Sequence, residues 1–577
     1  MKHFVSFLFL AIMMACPHLL YSGENAQIDN AKQILQKKSE VYVSFDVDDL
    51  SNNLNYHLSV DLIENNIVYA YANNWSFAEL LKENIPFNIE KHPGDVDFDV
   101  NMKSWEEIQD KGSKNTWDYY PTYDAYVNMM YQFAEDFPEM CEIHDAGSTV
   151  NGRQLLFARI NPDLSNTNAK PMFMYTSTIH GDETTGFVLM LRLIDYLLSN
   201  YNSDVEITNL LDDVEIWICP NENPDGTYTN DNSTVSGATR GNANGVDLNR
   251  NYPNPVNPPP QGEQAETTAM IDFVSDKNFI MSANFHGGIE LVNYPFDSWT
   301  SIERKHADHN WFEFISREYA DTAQYFSPDN YMTAYGGVTH GGDWYVVYGS
   351  RQDYMNYYRS DREVTIEISE TKLLNPALLP DYWDYNYRSF INYIKQSAYG
   401  VQGYITDIET GDPIPAKVTV LDHDQYNSEV YASVESGFYT RPLLSGTYDL
   451  TFYLYGFDAV TISDVNVSNY ETTIVDVELQ AWETNISDVS LNANIYIAPN
   501  PVISKSKLFI NNAKSLRTRI DVYNIQGMAV ASVFNDIILE SNFEISLANM
   551  QKKLSPGVYF IKISNESASK VIKALVL

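Results

Sequence analysis

PMFMYTSTIHGDETTGFVLMLRLIDYLLSNY, residues 171–201, contains the change of pattern that sets the fold. Residues 171–180 form an apolar strand-like run ending in His180. After the polar HGDETTG turn, residues 187–201 carry a long apolar helical run. The alternation continues outward. Upstream, a helical run YDAYVNMMYQFAEDF (123–137) precedes the strands MCEIHDAG (140–147) and QLLFARI (154–160); downstream come VEIWICP (214–220) and FIMSANFHG (279–287). Long apolar strands covered by helices imply an α/β fold whose mixed, largely parallel central sheet is buried. Ligands on such sheets gather at the carboxyl ends of strands, where His180 and His286 both stand.

With 577 residues the chain exceeds one core, and 44% hydrophobic with 20% charged residues is ordinary for folded protein. A formal net charge of -40 repels nucleic acid and anionic membrane. Residues 1–23, with Lys2 and His3 before an apolar run, have the layout of a secretory signal peptide, and that run is too short for a comfortable membrane span. Residues 24–115 alternate strand-like runs (VYVSFDV, NIVYAYA) with a helical stretch SFAELLKEN, a small α+β unit resembling a pro-domain in position. The α/β pattern covers 116–400. Short alternating strands then fill 401–478 and, after a linker at 479–494, residues 495–577, two β-sandwich units without a transmembrane segment. Cys141 and Cys219 fall in apolar runs where free thiols and a bridge are equally plausible.

The chemistry begins with spacing. His180 and Glu183, with Gly181 between them, can turn back on one ion, since imidazole nitrogen and carboxylate oxygen both suit zinc. A catalytic zinc takes three protein ligands and leaves a place for water; His286 supplies a third, and the glycines after it allow close approach of substrate. The pair His306 and His309 lies on a polar helical stretch and reads as a solvated face. In REVTIEISE, Val364, Ile366 and Ile368 share one strand face, leaving Glu363 and Glu367 on the other as candidates for the proton carrier. Between the ligand stretches, the loop TRGNANGVDLNRNYP (239–253) offers Arg240, Asn249 and Arg250. A metal beside an arginine fork suits hydrolysis next to a carboxylate.

HGDE (180–183), VDLNRNYP (246–253), SANFHGG (282–288) with NYPFD (293–297), and GSRQDYMNYY (349–358) with TIEIS (365–369) resemble, in that order, motifs of the zinc metallocarboxypeptidases, and NYPFD resembles their regulatory branch of carboxypeptidases N, E, D and M. The resemblance implies one Zn²⁺ held by His180, Glu183 and His286, with Asp247 orienting the first histidine. It implies Glu367 as general base and acid, Arg240 as oxyanion stabiliser, and Asn249 with Arg250 as the grip on a terminal carboxylate. Tyr357 is taken as the family's mobile tyrosine, ahead of Tyr354 and Tyr358, and Asp297 as receptor of a basic carboxyl-terminal side chain.

Residues 401–478 resemble the transthyretin-like domain that follows the catalytic domain in the regulatory branch. The last unit, with APNP (498–501), DVYNIQG (521–527) and GVYFIKIS (557–564), resembles the sorting domain of proteins exported by bacterial type IX machinery. The expectation is a monomeric, secreted or cell-surface carboxypeptidase acting on the carboxyl ends of peptides and proteins, with the type IX machinery as its export partner. Two other readings keep the fold: a zinc amidohydrolase acting on cell-wall peptides, and a non-catalytic surface binding protein.

Overall fold

The computed structural model describes residues 26–109, 115–165, 169–482 and most of 494–576. The expected signal peptide and residues 483–493 of the linker lie outside the described residues. The chain divides into two compact units: one spans most of the chain up to Val477, and the other holds the carboxyl-terminal region with two short stretches, 407–412 and 453–459.

The first unit opens with a helix, 26–38, and a four-stranded sheet of β1 (Glu40–Asp46), β2 (Ser59–Glu64), β3 (Ile67–Asn73) and β4 (Asn88–Ile89) in the order β2-β3-β1-β4. Asn65 and Asn66 turn the β2–β3 hairpin with φ of 51° and 65°, and asparagine tolerates that left-handed conformation better than most residues. Central β1 is buried along nearly its whole length, and Val41, Val43, Phe45, Phe77 and Leu80 form a core separate from that of the α/β part. A short parallel pair, β5 (Met102–Lys103) and β6 (Tyr120–Pro121), joins the two.

The α/β part is built on eight strands: β7 (Cys141–Ser148), β8 (Gln154–Ile160), β9 (Met172–Ser177), β10 (Glu215–Cys219), β11 (Phe279–His286), β12 (Ile289–Tyr294), β13 (Val338–His340) and β14 (Arg362–Ser369), in the order β13-β12-β14-β11-β9-β10-β8-β7. The central run β14-β11-β9-β10 is parallel, while β12 joins β14, and β8 joins β10, antiparallel. The sheet is therefore mixed with a parallel centre, as the apolar strands required. Helix Thr185–Asn200 buries Phe187, Leu191, Ile194 and Leu198 against it, and helix Leu379–Gln396 buries Trp383, Phe390 and Tyr393, both at helical spacing. Cys141 and Cys219 are free and buried.

After Gly400 the first unit continues as two small sheets. One joins Phe438–Arg441, Gly400–Asp407 and Thr472–Ile474; the other joins Val430–Tyr431, Lys417–Val420, Gly446–Tyr453 and Val460–Val467. The carboxyl-terminal unit has its own core, Leu508, Ile520, Val522 and Ile561 among it, between a three-stranded and a four-stranded sheet. Among the described residues no helix is long and apolar enough to cross a membrane.

Candidate metal centre and substrate cleft

Strand β9 ends in a sharp turn in which Thr178 takes φ 62° and its hydroxyl donates to the Glu183 carbonyl at 3.0 Å. Gly181 packs so closely on Gly226 that a Cβ would come within 2.3 Å of that residue's carbonyl carbon. That is why glycine separates His180 from the residues that fold back beside it. His286 ends the neighbouring strand β11, in register with Glu367 on β14. Three strand ends thus deliver four side chains to one point.

His180 Nδ1 and His286 Nδ1 lie 3.0 and 2.9 Å from the same Glu183 oxygen, Oε2, and 3.0 Å from each other. The other His180 nitrogen, Nε2, is 3.0 Å from Asp247 Oδ1. A proton on Nε2 donated to Asp247 leaves the Nδ1 lone pair aimed at the other two donors, and that is how a metal-binding imidazole is oriented. Converging lone pairs from two imidazoles and a carboxylate suit a divalent cation such as zinc. The surroundings agree. Five carboxyl groups, Asp61, Asp182, Glu183, Asp247 and Glu367, crowd Arg240 and Lys372 in this buried cluster, and the burial and Glu183 charge that push Asp182 and Glu367 upward are what a nearby dication would offset.

Burial depresses the His286 pKa to about 4, which keeps it neutral as a metal-binding imidazole must be. Burial, and next the Glu183 charge, push Glu367 well above the usual carboxylate range. Its Oε2 is buried without a hydrogen-bond partner. Glu363 shares that strand face but lies about 13 Å deeper at strand spacing, held by Ser282 at 2.7 Å and Arg351 at 3.1 Å. Of the two glutamates, Glu367 lines the cleft.

Arg240 stands on the long polar loop. Its Nε donates to Asp247 at 3.0 Å and to Ser59 at 2.7 Å, and its Nη1 lies 3.2 Å from Glu183 Oε1. Asp247 caps the short turn Leu248–Arg250 by accepting the Asn249 N–H at 2.9 Å, so one carboxylate orients both His180 and the next two cleft residues. Asn249 Oδ1 accepts the Arg351 N–H at 2.8 Å, which leaves its amide NH₂ for the cleft. Arg250 is half-buried, its Nη1 donates to the Asn249 carbonyl at 3.0 Å, and among the described residues no carboxylate pairs with it. It is a cation awaiting an anion.

Asp297 is the opposite case. Buried, it accepts from Asn293 at 3.1 Å and Gln352 at 3.0 Å, and no cationic side chain pairs with it among the described residues. Burial raises its pKa. Gly341 keeps the approach to it open, because a Cβ there would come within 2.1 Å of Asp297 Oδ1. One cleft of about 490 Å³ joins His180, Glu183, His286, Glu367, Arg240, Asn249, Arg250 and Asp297.

The structure departs from the sequence reading in three places. Tyr357 lies on helix Arg351–Tyr358, packs toward Trp299 and is absent from the cleft wall; Tyr354 packs on Tyr252, and Tyr358 is exposed. Two tyrosines line the cleft, Tyr335 and Tyr345; burial raises the Tyr345 pKa while the neighbouring Arg250 and Arg240 oppose the shift. The signal for Tyr345 was position: a tyrosine in the short segment between Gly341–Gly342 and the Ser350 helix cap. Lys372, just beyond β14, was also missed; its Nζ lies 2.8 Å from both Glu183 Oε1 and Asp61 Oδ1. Finally, His306 is buried against Phe296 and Phe312, with its Nδ1 accepting the Asp308 N–H at 3.0 Å, so it belongs to no solvated face. A second acidic cluster, Asp308, His423 and Asp424, is already neutralised by buried Arg362 and Arg441.

Comparison with known proteins identifies the domains. Family models match as zinc carboxypeptidase over residues 126–389, carboxypeptidase regulatory-like domain over 400–480 and secretion system C-terminal sorting domain over 494–577. The sorting domain marks a secreted or cell-surface protein. Mouse carboxypeptidase D is 35% identical over 344 residues, covering 57% of this chain and 25% of that protein. The chain thus spans about a quarter of the carboxypeptidase D length. Mouse carboxypeptidase M is 32% identical over 338 residues, covering 56% of this chain and 76% of that protein. Carboxypeptidase A from Helicoverpa armigera aligns with a TM-score of 0.47 and 15% identity, over 63% of this chain and 98% of that one.

Proposed function

The chain belongs to the zinc carboxypeptidase family, and we propose that it is a secreted, zinc-dependent enzyme that hydrolyses the last peptide bond of peptides and proteins, preferring carboxyl-terminal Lys or Arg. The observation that carries this reading is the presence in one cleft of Arg250, which has no carboxylate in ion-pair contact among the described residues, and the convergent donors His180, Glu183 and His286.

The free carboxylate of a substrate supplies the anion that Arg250 lacks, and the Asn249 amide adds a second donor; a planar guanidinium suits that bidentate grip. Without that carboxylate the guanidinium has only neutral partners, the Asn249 carbonyl and Tyr345, and no charge-assisted pair forms, which selects against internal peptide bonds. Asp297 waits at the side for a cationic side chain. With its terminus and side chain anchored there, the substrate's last amide lies beside Glu367. Bound zinc would lower the pKa of its water and polarise the scissile carbonyl. Glu367, which lines the cleft with its Oε2 free of any hydrogen-bond partner among the described residues, is the carboxylate that would accept a proton there and pass it to the departing amine. Arg240 supplies fixed positive charge next to the carbonyl oxygen, and Tyr345 adds a hydroxyl near Arg250.

Digestion of a peptide library, read by mass spectrometry, tests the proposal. Loss of single carboxyl-terminal residues, Lys and Arg fastest, is expected; internal cleavage or no cleavage contradicts it. The type IX export machinery is the partner we assign to the sorting domain, and the enzyme is taken as a monomer.

A further inference from the structure

The amino-terminal sheet enters the site. Glu40 accepts the backbone N–H groups of Arg240 at 2.6 Å and Gly241 at 2.8 Å, Ser59 bonds Arg240 and Asp247, Asp61 pairs with Lys372 at 2.8 Å, and Asn73 donates to the Gly245 carbonyl at 2.9 Å. These contacts fasten the loop that carries Arg240 and Arg250. They leave the cleft open, however: Asn249, Arg250 and Asp297 still face a space of about 490 Å³, one wall of which is Val60, Asp61, Leu62 and Ile63 of β2. A plug would fill that space.

Strand β2 is the end strand of its sheet and, among the described residues, pairs only with β3, its register shifting at Asp61, so its outer row of N–H and C=O groups is an edge without a strand partner. Leu62 and Ile63 are each 49% exposed, an apolar pair on the rim of a polar cleft. The edge starts beside the proposed metal ligands, because Asp61 reaches Lys372 and Lys372 reaches Glu183. The cleft that holds Arg250 and Asp297 also holds Glu183 and Val60–Ile63 of β2, so β2 borders the space open to the rest of a substrate anchored there.

Resting on the carboxypeptidase reading, we infer that the amino-terminal unit is a working part of the enzyme, and that β2 binds the substrate's upstream residues as an added strand. Main-chain pairing supplies the affinity and is indifferent to sequence. Leu62 and Ile63 favour apolar side chains on the residues that face them. The occupant is an extended polypeptide, and the unit thereby makes the enzyme prefer chains to dipeptides.

The test uses the intact zinc-loaded chain and a set of arginine-ended substrates: an acyl-arginine, peptides with one to five residues before the arginine, and the longest peptide with single N-methyl groups placed along it. Expected is a rise in kcat/KM of about tenfold or more between the shortest and longest substrates, since two added hydrogen bonds have that size. The rise should be lost on N-methylation at alternate positions only, the period of a strand. A substitution in the substrate leaves the enzyme's folding untouched. Arginine release that ignores length and N-methylation overturns the inference alone, as does polypeptide cleavage that appears only after residues 24–115 are cut away. No release from any substrate overturns the carboxypeptidase reading and this inference with it.

Discussion

Asp297→Asn separates specificity from catalysis. The carboxylate is buried, is hydrogen-bonded by Asn293 and Gln352, and has no cationic partner among the described residues. The amide keeps the shape and an acceptor for both bonds, so the change removes charge and little else. Removing one member of a buried charge pair costs about 2–5 kcal/mol. Cleavage of arginine- and lysine-ended peptides should therefore fall roughly 30- to 5,000-fold in kcat/KM, and leucine-ended peptides should be nearly unaffected. The stability sign is opposite. Because burial raises the folded-state pKa of Asp297 above its unfolded value, its contribution favours folding below the unfolded pKa and is lost as pH rises through the folded one. Above the unfolded value the raised pKa opposes folding, so at neutral pH the variant should melt no lower than the parent. Arg-ended and Leu-ended peptides assayed in parallel, with a thermal melt, give the answer. An unchanged Arg-to-Leu ratio refutes the reasoning about Asp297.

Asp247→Ala removes the partner of His180 Nε2 and of Arg240 Nε; zinc affinity, measured by chelator competition, should weaken about 10- to 100-fold, and an unaltered affinity would remove Asp247 from that role. Glu367→Gln should keep zinc, counted by elemental analysis, and lose nearly all turnover; near-normal rates would reject Glu367 as proton carrier. Tyr345→Phe should lower kcat/KM while Tyr357→Phe leaves it alone, and the reverse outcome would restore the sequence-based choice.

How far the sequence reading reached depends on where the information lay. His180 and Glu183 could be recognised because a strand end, a glycine and a three-residue spacing are local. Strand alternation narrowed the proton carrier to two candidates, since it cannot tell depth along a strand; the family resemblance chose Glu367, and the register of β14 sets Glu367 beside His286 with Glu363 four residues away. Tyr345 escaped because it lies in a segment with no periodicity. Tyr357 was chosen because the mobile tyrosine of the resembled family follows an Asp-aromatic pair, here Asp353 and Tyr354, and helix Arg351–Tyr358 sets it toward Trp299 instead. The contacts of Glu40, Ser59 and Asp61 join residues well over a hundred positions apart. No local pattern encodes them, so the amino-terminal unit was placed as a neighbour of the catalytic part and not as a wall of its cleft.

The central claim is that a metal-dependent hydrolysis is aimed by a cation that waits for a free carboxyl terminus. One measurement meets it directly: mass spectrometry of two arginine-ended peptides, identical except that one ends in a carboxylate and the other in an amide, incubated with the zinc-loaded chain and with the chelated chain. The account predicts loss of one arginine from the free acid, none from the amide, and none from either after chelation. Equal trimming of the amide, or trimming that survives removal of the metal, would contradict it.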